Sequence, residues 1–392
     1  MSDVVKKNTV VYVKRETTEG TYVAPAAGGD AVQTLSEGLE MTPAKELIDR
    51  SISRGGIGKV AGRPGQESVT ATIPVEFKAG STEGAAPEYD LLIKGCLGAK
   101  RSVATGVTAS TADGATGTAS RIPLANADKN KYAVNDMVKV RHSSVDYIVR
   151  VTAVSNTDGS VSITVQPALD SGSFGSGDTV SAVTTYLCAD SGHDTLSITK
   201  EMEGASVEKG IGCRVKSMSV NNFSTGQIAD FSFGLEGLSF ERALSGTGLT
   251  ASFDTSEPPL ILGAKVFIDG VEVDVNEVSV SVENTVAFKT ATGAPKGKLG
   301  SRITERVVQG SFNPYKQDDD MTFYTKFNAT TTFGLMLYAY NPASTAGQKE
   351  QIVAIYIPDC LITELGESDQ DGLMQENVSF SADGSDIYVS FI

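Results

Sequence analysis

The sequence predicts a mainly β protein: two tandem β-sandwich or barrel domains with short flanking helices, and a small β-barrel domain inserted into the first. Three observations carry this. Forty glycines accompany abundant Val, Thr and Ser, with no Trp among 392 residues, a mix suited to short strands punctuated by turns. A 21-residue phrase occurs twice, CRVKSMSVNNFSTGQIADFSF at 213–233 and CLITELGESDQDGLMQENVSF at 360–380, each opening on Cys and closing on Ser-Phe at a constant offset of 147. The spacing upstream differs: Arg63 to Cys213 is 150 residues and Arg302 to Cys360 is 58, so the first copy is longer by 150 − 58 = 92.

Both halves run in one order: strand, long basic loop, strand, short helix, strand, turn, strand. IDRSISRGGIGKVAGRPGQESVTATIPVEF (48–77) and AFKTATGAPKGKLGSRITERVVQGSF (287–312) supply Gly-rich basic loops between alternating patterns. APEYDLLIKGCLGA (86–99) and DDDMTFYTKFNA (318–329) are the helix-like stretches. A period this long signals a duplicated domain rather than a solenoid. In the first half, RSVATGVTASTADGATGTASR (101–121) reads as low-complexity linker, and 132–187 holds four or five short strands parted by turns. The expected organisation is 1–100 and 189–256 for the first domain, 101–188 for the insertion and 257–392 for the second domain. An insertion into a surface loop costs little.

The formal charge is −15, and residues 257–392 carry 9 basic against 19 acidic side chains. Coating a nucleic acid demands a basic face, so that class is excluded. No apolar run approaches the ~20 residues of a membrane span. The opening MSDVVKKNTVVYVKRE returns to charge too soon for a signal-peptide core, so the chain is expected to fold in a cytoplasm. Cys96, Cys188, Cys213 and Cys360 lack CxxC spacing and are expected to be reduced, buried thiols. A zinc site would need His142 or His193, and neither is spaced for it.

No catalytic constellation stands out, and neither a cofactor nor a metal is expected; the chain does not read as an enzyme. Two histidines without a nucleophile elbow do not make a triad. SDQDG (368–372) has part of a calcium-loop pattern, but the third acidic position and terminal Glu are missing, which favours a polar hairpin turn. In QDDDM (317–321), Asp318, Asp319 and Asp320 could bind a cation; helix N-terminal caps are the simpler reading. The basic loops are open to two readings. Arg54, Lys59 and Arg63, with Lys296, Lys298 and Arg302, could sit on solvated hairpin tips or on contact arms that dock on an acidic neighbour.

YVKRETTEGTYVAPAAGGDAV (12–32), EGLEMTPAKELIDRSISRGGIGKVAGR, EYDLLIKGCLGA and HDTLSITKEMEG…GIGCRVKSMSVNNFSTGQIADFSFGLEG (193–237) together resemble tail tube proteins of long-tailed bacteriophages. The resemblance covers roughly 10–100 and 186–242 well and the last third more loosely; 101–188 departs from the minimal pattern. It implies a β-sandwich subunit closing into rings that stack around a lumen. DNA would pass through that lumen during ejection without specific binding. It also implies inter-ring contact loops, here 51–67 and 288–303. Expected partners are other copies of the chain and the tail terminator, tape measure and distal tail proteins, in a virion tail assembled in the bacterial cytoplasm, with no membrane contact. Candidate acidic residues for the lumen or ring edge are Asp318, Asp319, Asp320, Glu364, Glu367, Asp369 and Asp371.

Geometry gives a ring size. If each copy contributes four strands, three chains supply about 24 strands at ~4.8 Å spacing, a circumference of ~115 Å and a backbone diameter of ~37 Å. Side chains taking ~5 Å per wall leave ~27 Å, enough for a duplex roughly 20 Å wide. The insertion is expected on the outside. Two other classes compete: a surface adhesin or pilus-like shaft protein, and a carbohydrate-active enzyme with an accessory β domain, which would need paired carboxylates in a cleft.

Overall fold

The computed structural model describes residues 5–36, 38–53, 57–58, 60–113, 115–169, 172–294, 296–317 and 321–392. Strands dominate, and two α-helices occur among the described residues, as the composition predicts. Eight long strands organise the molecule. Four come from the first half: β1 (Glu40–Arg50), β2 (Val60–Glu76), β3 (Ser206–Ser224) and β4 (Asp230–Gly237). Four come from the second: β5 (Val275–Thr290), β6 (Lys298–Pro314), β7 (Lys349–Gln370) and β8 (Leu373–Ala382). Helix α1 (Asp90–Leu97) follows β2, and α2 (Thr322–Ala329) follows β6. Both helices are shorter than the stretches that predicted them.

The eight strands form one uninterrupted antiparallel ladder in the order β1-β2-β4-β3-β5-β6-β8-β7. The period-2 pattern separates its faces. One buried row, Val75–Phe231–Val220–Val280–Gly310–Phe380–Ile362, crosses seven strands as directly opposed pairs. Its side chains belong to a core that runs through both halves. The intervening residues Ser232, Ser219, Ser281, Gln309 and Ser381 pair across the opposite, polar face. Gly310 is required in the buried row, because a Cβ there would lie 2.2 Å from the Ser279 carbonyl oxygen and 2.7 Å from the Phe380 ring.

The repeated phrase has a structural meaning. β3 and β7 are long strands that take part in two sheets. Their N-terminal halves pair with Leu196–Met202 and Phe333–Pro342, and with Ser239–Ala243 and Tyr388–Phe391. The registers coincide at the sequence offset: Ile198 faces Gly210 and Leu335 faces Ile357, and 357 − 210 = 147. Within the hairpins, the pairing skips Lys216 in β3 and Thr363 in β7, again 147 apart. A bulge re-aims a strand, and here both fall where the chain leaves one sheet for the other. The turns differ: β7–β8 uses the two left-handed residues Asp371 and Gly372, whereas β3 and β4 are joined by a longer loop. The resulting two-residue shift between hairpins keeps the apolar residues on the core face.

One stretch differs from the sequence reading. Residues 101–121 are not linker: Val107–Thr108 and Arg121–Pro123 are strands of a six-stranded sheet, and Ala109 and Ala115 are buried. Their small residues look featureless in sequence and acquire a role only by packing. The flanking strands Gly98–Val103 and Val183–Cys188 pair with each other and, through Tyr388–Phe391, join the large sheet. The small sheet buries Val138, Val149 and Ile163 against Ile352, Ala354 and Tyr356 of the second half. Polar clamps secure it: Lys349 donates its backbone N–H to Asp146 Oδ2 at 2.9 Å, Gln166 Nε2 donates to the Asp269 carbonyl at 2.8 Å, and Arg150 stacks 4.2 Å from the Tyr356 ring centre.

Burial alone would raise the Asp146 carboxyl, but the Arg141 fork at 2.7 and 3.0 Å and the Lys349 N–H hold it below the usual carboxylate value. Its folded value thus lies below its unfolded one. The contribution to stability is complete above the ordinary pKa of about 4 and is lost as pH falls through the lower folded value. Asp146→Asn is expected to lower unfolding free energy by about 2 kcal/mol at pH 7, with the deficit shrinking in acid. Urea titrations followed by circular dichroism at several pH values measure both.

Candidate assembly surfaces

The antiparallel order fixes which ends of the strands share a rim. The β1–β2 and β5–β6 tips leave one rim, and the β3–β4 and β7–β8 turns leave the other. Charge leans the same way. The first rim carries Arg50, Arg63, Lys289, Lys296, Lys298 and Arg302 beside Glu46, Asp49 and Glu67; the second carries Glu272, Asp274, Glu277, Glu367, Asp369 and Asp371 beside Lys316.

The basic stretches are mostly strand rather than loop. Arg63 lies in β2 opposite Ile48, Lys298 in β6 opposite Thr290, and Arg302 in β6 opposite Ala287. Their Gly and Pro residues conceal strands that only cross-strand pairing reveals. Arg54, Lys59, Asp318, Asp319 and Asp320 lie outside the described residues. Lys296 reaches Glu241 at 3.3 Å and Glu67 at 4.0 Å on its own chain. Lys298 Nζ sits 4.0 Å from the Phe288 ring centre, and burial lowers its pKa.

The acidic candidates divide by face. Glu364 opposes Ser379, and Ser379 opposes Ser311, so Glu364 is on the polar face. Glu367 opposes Glu376 on the other side and pairs with Lys316. Asp369 accepts the Gly372 N–H at 3.3 Å, which makes 368–372 the polar turn that its sequence suggests. Among the described residues no group of three His, Cys, Asp or Glu converges to hold a metal ion. His193 is bound between the Gly95 and Ala189 carbonyls, and His142 meets Asp178. The four cysteines are free thiols; burial pushes Cys96 up to about 12 and raises Cys213 and Cys360 further.

The β5–β6 arm is seated on the first half. Buried Asn284 donates to the carbonyls of Cys96 and Val215 at 3.1 and 3.2 Å, and Arg306 donates to those of Leu97 and Ala189 at 3.2 and 2.9 Å. Among the described residues the β1–β2 arm has no comparable seat. Leu47 and Ile48 remain 66% and 53% exposed, and among the described residues β1 forms a ladder with β2 alone. A second bare surface surrounds α2: Met321, Tyr324, Phe327, Leu373 and Met374 are exposed. Charge patterns in the sequence pointed to the arms and missed these apolar residues; the adjacent pair Leu47-Ile48 in a run of polar neighbours was the available signal.

The family described as phage tail tube protein matches residues 6–382. The chain belongs to that family. It is a structural component of the phage tail, a self-assembling virion protein that associates with other tail proteins. No curated protein matches the chain.

Arg306→Met keeps the apolar stem but removes two charged hydrogen bonds that tie the halves together. It is expected to cost about 2 kcal/mol, read as a lower urea midpoint at unchanged slope.

Proposed function

We propose that three copies of this chain close into a ring, that rings stack into the tail tube, and that DNA passes through the bore during ejection. The observation that carries this is the eight-strand ladder with a core on one face, hydroxyls on the other, and an open edge at each end. A heterologous contact that joins one edge to the other makes a ring when the rotation closes. Two chains would give 16 strands and a free bore of only ~14 Å, and four would give ~39 Å; three give ~27 Å. Three fits a duplex roughly 20 Å wide most closely.

The polar face suits a conduit. Ser217, Ser219, Ser279, Ser281, Ser311 and Ser379 carry no charge, Glu283 and Glu364 repel phosphate, and Glu236 is balanced by Lys216 at 3.9 Å. A basic wall would hold DNA through its phosphates; this one lets it slide. The rims suit directional stacking, with the basic side of one ring meeting the acidic side of the next. Complementary potentials set orientation. The inserted sheet packs on the second half away from the polar face, consistent with a position outside the tube.

Negative-stain electron microscopy of concentrated protein is expected to show rings or tubes; monodisperse globules at every concentration would remove the proposal. A phage carrying Ser219→Lys and Ser281→Lys is expected to assemble tails but to eject DNA more slowly, measured by dye release in vitro.

A further inference from the structure

We propose that Cys96 and Cys188 are a disulfide-forming pair at the neck of the inserted sheet, oxidised by a small-molecule disulfide such as oxidised glutathione once the protein leaves a reducing medium. The pair needs no neighbouring copy. The two residues bracket the insertion: 188 − 96 = 92 positions separate them, and all six strands of the small sheet, from Val107 to Val180, lie between. At the neck, Val183–Cys188 runs antiparallel to Gly98–Val103 with Cys188 directly opposite Gly98. The Ala189 N–H donates to the Leu97 carbonyl at 2.9 Å, and Cys96 sits in the last turn of α1.

Side chains two apart share one face of a strand. Tyr186 and Cys188 therefore point the same way, into the core that contains Cys96. Tyr186 donates its hydroxyl to Asp90 Oδ1 at 2.6 Å, in the first turn of α1, and Lys100, opposite Tyr186, reaches the same oxygen at 2.9 Å. Two further residues advance the strand about 7 Å, and from Asp90 to Cys96 the helix rises about 9 Å, so Cys188 comes alongside the last turn. The β5–β6 arm holds both sulfurs. Asn284 and Arg306 oppose each other across that arm; Asn284 Nδ2 lies 3.4 Å from Cys96 Sγ, and the Arg306 side chain hydrogen-bonds Cys188. The thiols also feel each other: burial takes Cys96 up to about 12, with charge on Cys188 adding to the rise. Burial raises Cys188 too, and Arg306 beside it opposes that.

Cys188 is the entry point, because it is half-buried whereas Cys96, Cys213 and Cys360 are buried. Its thiolate attacks one sulfur of oxidised glutathione; that S–S bond breaks and one glutathione thiol leaves. Cys96 then gives up its proton, attacks the Cys188 sulfur of the mixed disulfide and expels the second glutathione thiol. Two protein thiols are oxidised, one small disulfide is reduced, and the two protons end on the departing glutathione sulfurs. Such bonds persist outside reducing compartments. Closing so long a loop restricts the denatured chain and fastens the neck of the insertion beside the helix end that Asn284 and Arg306 hold.

The test uses the purified full-length protein, reduced and then incubated with oxidised glutathione at slightly alkaline pH, where thiolate is more abundant. Circular dichroism checks that the fold is kept; the sample is then alkylated in denaturant and digested without reductant. Mass spectrometry is expected to find a peptide joining Cys96 to Cys188, with Cys213 and Cys360 alkylated. The oxidised protein is expected to melt a few degrees higher than the reduced one, and dithiothreitol to reverse the shift. Cys96→Ser keeps the entry thiol and is expected to stop at a glutathione adduct on Cys188. Cys188→Ser is expected to leave its three remaining thiols free. In the unmutated protein, an adduct on Cys188 beside a free Cys96 would overturn the pairing. Four free thiols, or a peptide linking any other two cysteines, would do the same.

Discussion

An antiparallel sheet with polar groups exposed along both edges is unfinished, and the architecture of this chain follows from where those edges lie. Inside the molecule the difficulty is solved once, by the β3–β5 ladder, which merges the two halves into a single eight-strand surface with a common core. The same two kinds of edge recur at β7 and β1, on opposite ends of that surface. Natural proteins blunt exposed edges or cover them. In the proposed ring, covering them with further copies converts a hazard for a monomer into the bond that closes the assembly.

The faces of the sheet divide the remaining work. The buried row from Val75 to Ile362 fixes register across seven strands, because a one-residue slip would turn every member outward. The serines on the other face need no partner from the core and leave a surface without strong affinity for phosphate. In the proposed tube, assembly contacts fall to the rims and arms, which the up-and-down path of the strands sets apart. The inserted sheet is fastened to the second half by a continuous apolar contact and by Asp146.

Much of this could be read in the sequence. The constant offset between the Cys213 and Cys360 phrases located matching hairpins, and the unequal spacing pointed to the stretch that holds the six-stranded sheet. Alternation in VSVSVEN and SMSV separated core from polar face. What escaped was decided by tertiary pairing. Gly62, Pro64 and Gly65 mask a part of β2 whose faces are both largely solvent-exposed, so neither propensity nor alternation marks it. Residues 107–123 lack large side chains, and only packing shows Ala109 and Ala115 to be core. Acidic residues looked equivalent in sequence, yet strand alternation past the bulge at Thr363 sends Glu364 to one face and Glu367, three residues on, to the other. The exposed pair Leu47-Ile48 could be weighed only once its hairpin was known to be unseated.

The account stands on the claim that three eight-strand surfaces join edge to edge. Native mass spectrometry of the smallest closed assembly counts its chains directly. Three chains per ring is the result predicted here, and six chains, or an open series of oligomers that never closes, would contradict it.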